Sequence, residues 1–192
     1  MIYLIRHGAT EWSTLRRHTG RTDIPLTDEG RDQAAALAPT LGHLQPDRVL
    51  TSPLSRARDT CALAGFGDRA EIDDRLVEWD YGAAEGRTTA EIREEQPDWS
   101  VWTHPTERAE SLDAVAARVD AVLAEVGDPD GVTLIFAHAH LLRILGARWC
   151  GWPPSAGQHL VLDPASTSVL GFEREARTIE RWNLVPDPLA TT

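Results

Sequence analysis

Short apolar runs separated by capped helical stretches constrain this chain more than any other feature. Residues 2–6 (IYLIR), 48–52 (RVLTS) and 132–136 (VTLIF) read as buried strands. Between them, Thr27-Asp28-Glu29 opens an alanine-rich helix to about Leu41. Ser52 with Pro53 reads as an N-cap with proline at the first helical position, leading a helix to about Ala64. Residues 88–95 give a short helix, Ser111 caps a longer one to about Val126, and 139–150 give another. Segments 166–173 and 178–183 read as a strand pair, and 186–192 (PDPLATT) as a frayed tail. Strands alternating with helices predict a three-layer α/β/α fold around a mostly parallel central sheet. In such sheets ligands bind in the crevice beyond the carboxyl ends of the strands.

That edge collects an unusual set of side chains. Arg6 and His7 follow the first strand, His138 follows the third, and Arg56 lies early in the helix after the second. A lone histidine is most often a core or surface residue. Two histidines at the ends of buried strands, each followed by a small residue (Gly8, Ala139), point instead to a site. Gly8 lets the backbone turn sharply and approach a ligand closely, and Ala139 does so less freely.

Charge narrows the ligand. The chain of 192 residues carries a formal net charge of −11, and all nineteen of its basic residues are arginine. Such a chain is repelled by nucleic acid and by anionic membranes. Without lysine, neither a P-loop nor a Schiff-base site is open to it. Guanidinium groups grip phosphate or carboxylate in a bidentate manner, so the expected partner is a small anion. No apolar run approaches a membrane span, and Arg6 interrupts the N-terminal apolar stretch, which argues against a signal peptide. Cys61 and Cys150 stand at unrelated spacing; reduced, structural cysteines and a cytoplasmic location are expected. The length fits one domain, 1–192, with a small cap-like insertion around 87–110.

Arginines at 6 and 56 would draw a phosphate between the imidazoles. A neutral imidazole is a nucleophile toward phosphorus, and arginines offset charge on the transferring group. A leaving alkoxide needs a proton. Glu78, between Val77 and Trp79 in RLVEWDYGAAEG, is the best carboxylic acid for this, because burial beside an aromatic ring favours the neutral acid. Asp80 and Glu85 are the next candidates. A metal pair at His138 and His140 is the competing reading, but no Asp or Cys cluster accompanies it.

With these residues in hand, the chain resembles the histidine phosphatase superfamily, the phosphoglycerate-mutase-like group. LIRHGATEWS, HTGRTDIPLTDEG (18–30), TSPLSRARDT (51–60), LVEWDYGAAEG (76–86) and FAHAHLLR (136–143) follow in family order across roughly residues 2–183. The resemblance implies a phosphoglycerate-mutase-like fold and a phosphohistidine formed on His7. Arg6, Arg56 and His138 would complete the phosphate pocket, with Glu78 as proton donor and no metal or other cofactor. It also implies that Ser13, Thr19, Gly20, Ala139 and His140 face the substrate, a small phosphorylated metabolite. A homodimer is compatible with it.

Two departures stand out. Ala139 replaces the usual glycine after the second histidine, where its methyl would crowd the phosphate. PTERAES (105–111) replaces a Pro-Gly-Gly-Glu-Ser turn and keeps only Glu110-Ser111. A mutase of the family carries an extended basic insertion after the acid residue. Here 87–110 is short and net acidic. Hydrolysis is therefore expected over mutase action, in the branch with sedoheptulose-bisphosphatase-like and broad-specificity acid phosphatase members. The rivals are a cofactor-dependent phosphoglycerate mutase and a phosphate-binding member with little turnover. Of the many tryptophans, Trp79, Trp149 and Trp152 read as packing residues, whereas Trp99 and Trp102 could equally stack on a substrate body.

Overall fold

Alternate residues along the buried strands choose opposite faces, and this builds the layers. The structure, a computed structural model, describes residues 1–104 and 106–186. Of the segment read as a frayed tail, 187–192 lie outside the described residues, as does Pro105. The strands are β1 (Ile2–Arg6), β2 (Arg48–Thr51), β3 (Ala70–Ile72), β4 (Thr133–Ala137), β5 (Thr167–Glu173) and β6 (Ala176–Leu184). They form one sheet in the order β3-β2-β4-β1-β5-β6. Neighbours from β3 to β1 run parallel, and β5 and β6 add an antiparallel edge.

Ile2 and Leu4 of β1, Leu50 of β2 and Ile135 of β4 face one core, with α6 (Leu112–Val126) and α7 (Ala139–Trp149). Ile5, Val49, Leu134 and Phe136 face the other, with α3 (Leu37–Leu41) and α4 (Ser55–Leu63). The three-layer α/β/α arrangement follows from this alternation. Each fully buried large apolar side chain contributes about 1.5–3 kcal/mol relative to exposure. The strand ends that carry Arg6, His7 and His138 are therefore rigidly anchored.

Most expected helices form where their caps stand. Thr27 caps α2 (Asp28–Ala35) through Gly30 N–H, Thr88 caps α5 (Thr89–Glu95), and Ser111 caps α6. The single helix expected over 28–41 is broken at Ala36 into α2 and α3. Pro39, with no N–H to donate, interrupts the ladder there. The helix expected from Ser52 starts later, at Ser55, with Leu54 as an N-cap that makes no side-chain bond. A short helix α1 (Glu11–Thr14) and the three-residue edge strand β3 were not legible in the sequence. Among the described residues, no helix is long and apolar enough to cross a membrane.

Candidate active site

β2, β4 and β1 are consecutive in the sheet, so their carboxyl ends place Ser52, His138 and His7 in a row. His7 N–H donates to Ala137 O at 3.1 Å, and Ser52 N–H donates to Phe136 O at 3.0 Å. The His7 and His138 rings lie 5.2 Å apart, centroid to centroid. Both are buried. The three-strand convergence expected from the sequence is thus present in the fold.

His7 is oriented by its own neighbour. Its Nδ1 lies 2.7 Å from Gly8 O, which can only accept, so Nδ1 carries the proton and Nε2 keeps a lone pair. Burial holds its pKa well below the ordinary histidine range, and Arg56 and Arg6 beside it push the same way. The missing side chain at Gly8 permits a close approach to protein: a Cβ there would lie 2.2 Å from Gly30 O.

A cavity of about 170 Å³ opens in front of His7. Arg6, Glu78, Ser13, Thr19, Ala139 and His140 line it, together with Arg16, Arg17, His18 and Tyr81, which the sequence did not single out. Arg6 donates from Nη1 to Leu162 O, while its buried Nε has no partner. A buried donor without an acceptor is costly, and an anion in this cavity would relieve it. Among the described residues, Glu78 is the one carboxylate on the cavity wall. Its oxygens accept from Trp79 N–H (2.9 Å), His140 N–H (3.0 Å) and Leu141 N–H (2.9 Å), the latter two at the N-terminus of α7. Asp80 and Glu85 are occupied elsewhere. Asp80 accepts from Gly82 N–H, and Glu85 accepts from Gly20 and Thr22 N–H.

Arg56, His138 and Gly20 do not line the cavity; they stand behind it. The fully buried Arg56 donates to Thr22 O and Gly20 O (both 2.9 Å), to Thr19 O (3.3 Å) and, from Nε, to His138 Nδ1 (3.2 Å). It holds the 19–22 loop and the second histidine together. Gly20 packs against Trp79 O and Glu85, where a Cβ would collide. Ala139, the first residue of α7, accommodates its methyl on the cavity wall. Around His140 an aromatic shell closes in. Tyr81 Oη lies 2.5 Å from His140 Nδ1, and Trp79 and Trp102 stand edge-on to its ring. Trp99 is buried against His18, as the packing reading expected; Trp102 is half-buried beneath Arg143.

No group of three or more His, Cys, Asp or Glu side chains that could hold a metal occurs among the described residues. His138 and His140 turn to different partners, Arg56 and Tyr81. The two cysteines are unpaired, and burial pushes the Cys61 thiol up to about 12, which makes it inert.

The neutral histidines carry a stability consequence. Burial lowers His7, His138 and His140 well below the ordinary value and pushes His18 down to about 4. The unfolded chain therefore binds more protons than the folded one as pH drops below about 6.5. Stability is fully present above that value and declines as pH falls toward the folded-state values. Calorimetry should show the melting temperature dropping steadily between about pH 7 and 5. His18→Gln should flatten part of this slope, and an unchanged slope would mean that His18 titrates normally.

Comparison with known proteins agrees with this geometry. Residues 2–185 match the family model of the histidine phosphatase superfamily (branch 1). The chain is 41% identical to the acid phosphatase of Mycobacterium tuberculosis H37Rv, over 98% of this chain and 96% of that protein. It is 33% identical to the sedoheptulose 1,7-bisphosphatase of Saccharomyces cerevisiae, over 77% of this chain and 66% of that protein. The solved structure of an open reading frame product of Mycobacterium tuberculosis superposes with a TM-score of 0.91 at 39% identity, covering 97% of this chain and 98% of the other. The chain belongs to the histidine phosphatase superfamily, branch 1, and is an enzyme of the phosphatase class.

Proposed function

We propose that this enzyme hydrolyses a phosphomonoester of a small metabolite, a sugar phosphate or similar, through a phosphohistidine on His7 and without a metal. The observation that carries this reading is the orientation of His7. Its Nδ1–H is committed to Gly8 O, so the Nε2 lone pair is the free nucleophile, beside the unpartnered Nε–H of Arg6.

Nε2 attacks phosphorus and the ester P–O bond breaks. The departing alkoxide takes a proton from Glu78. Water then attacks the phosphorus of the phosphohistidine, Glu78 takes the water proton, and the N–P bond breaks to release inorganic phosphate and neutral His7. Guanidinium groups, Arg6 first, meet the charge on the phosphoryl oxygens. Arg56 and His138 support the pocket from behind. Ser13, Thr19, Ala139 and His140 contact the substrate body at the cavity wall, with Gly20 holding the loop beneath. Residues 87–110 form a small cap-like insertion beside this mouth. The net charge of −11 supports a small ligand over nucleic acid or an anionic membrane.

A panel of phosphomonoesters compared by kcat/KM, with inorganic phosphate release and 3-phosphoglycerate conversion measured in parallel, tests the reading. Hydrolysis of at least one sugar phosphate, unaffected by EDTA, is the expected result. Isomerisation of 3-phosphoglycerate without phosphate release would favour the mutase instead.

A further inference from the structure

The two neighbouring imidazoles are held in different ways. His7 donates from Nδ1 to Gly8 O. His138 has Arg56 Nε 3.2 Å from its Nδ1, and a guanidinium can only donate, so this Nδ1 accepts. The proton of the neutral ring is then on Nε2, 2.7 Å from Ser52 Oγ. Ser52 is wholly buried, one residue past the end of β2, and its Oγ also accepts from Leu54 N–H at 3.3 Å. The sequence pattern made this serine a helix cap, but α4 begins at Ser55 and leaves it unused for that purpose.

We propose that Ser52 is a positioning residue that, opposite Arg56, locks His138 as the Nε2–H tautomer while His7 is locked as the Nδ1–H tautomer. A second proton on His138 would have to sit on Nδ1, pointed at the Arg56 Nε–H. The lock therefore forbids His138 from acting as a base and leaves His7 as the one imidazole of this pair that changes charge during turnover. The groups that push His138 toward the neutral ring are Arg56 from α4, His7 and Arg6 from the end of β1, and Arg118 from α6. The carboxylate in this neighbourhood, Glu78, is held by the amides of His140 and Leu141 and acts on Arg56 and Arg6. The kinetic consequence rests on His7 being the nucleophile; the tautomers do not.

Side-chain nitrogen NMR of the ¹⁵N-histidine-labelled protein reads the tautomers directly. The expected wild-type spectrum has His7 protonated on Nδ1 and His138 on Nε2, with His138 unchanged from about pH 8 to 5.5. Ser52→Ala should let His138 populate both tautomers or begin to titrate. It should lower kcat by about 10-fold or more, because a buried donor loses its acceptor. KM should change little, and the acid limb of the pH profile should move toward the ordinary histidine range. A wild-type His138 protonated on Nδ1 overturns the proposal whatever the stability of the variant, and so does an S52A protein with an unchanged tautomer and pH profile. If the tautomers are as described but no phosphohistidine forms on His7, the catalytic reading fails and the lock survives.

Discussion

On the proposed mechanism, His7→Ala should lower kcat by at least about 10⁴-fold. A nucleophile and the covalent route it opens are lost together, and only the residual catalysis that binding and electrostatic stabilisation supply remains. The loss is chemical, not structural. His7 lies at the end of β1, where its backbone N–H is held by Ala137 O and Gly8 N–H by Thr60 Oγ1, and neither bond uses the imidazole. The variant should therefore fold and still bind inorganic phosphate through Arg6. Trapping shows the same point from the other side. Wild-type enzyme quenched in base after exposure to labelled substrate should carry an acid-labile label that maps to His7. Label on His138 would contradict the assignment. His138 has both ring nitrogens engaged, by Arg56 and Ser52, and offers no lone pair to phosphorus.

The parts of this site that the sequence discloses are those fixed by regular structure. Arg6 and His7 are legible because the apolar run before them can only be a buried strand, and a buried strand in a parallel sheet ends at the ligand edge. His138 is legible for the same reason, and Thr27 and Ser111 announce their helices by capping chemistry. Glu78 is legible from its place between Val77 and Trp79 and from the family resemblance, but what holds it is not. Its three amide partners come from Trp79 and from the start of α7, over sixty residues away, and no local pattern records them. The same holds for Arg56. Its position in α4 is readable, but its acceptors, the carbonyls of Thr19, Gly20 and Thr22, belong to an irregular loop whose path depends on tertiary contacts. Ser52 shows the sharper failure. Ser-Pro before a helical pattern satisfies every local rule for a cap, yet the neighbouring strand brings His138 within 2.7 Å and the hydroxyl goes there instead. Arg16, exposed and with φ of 55°, and His18 reach the cavity from the segment after α1, where side-chain direction is set by backbone turns that periodicity does not encode.

Glu78→Gln should separate two kinds of substrate. The amide cannot deliver a proton, so hydrolysis of a sugar phosphate, whose alkoxide is a poor leaving group, should fall by about 10²–10⁴-fold. p-Nitrophenyl phosphate should fall by no more than about 10-fold, since nitrophenolate departs without protonation. The substitution also perturbs structure, and the sign of that effect is clear. The carboxylate accepts from Trp79 and Leu141 through Oε1 and from His140 through Oε2. A glutamine can keep its carbonyl at the Oε1 position, but its NH₂ then faces the His140 N–H, donor against donor. One buried hydrogen bond is lost, at a cost of about 1–3 kcal/mol in stability. A loss of packing alone would depress both substrates alike, whereas loss of the proton would depress the sugar phosphate selectively. Rates measured on both substrates, with melting curves to confirm that the variant is folded at the assay temperature, make the distinction. Equal losses on the two would remove Glu78 as the acid. Asp80 and Glu85 would be poor replacements, because both are committed to backbone N–H groups away from the cavity. The proton would then have to come from water or from the substrate's own phosphate, and the leaving-group dependence would be steep in the wild type as well.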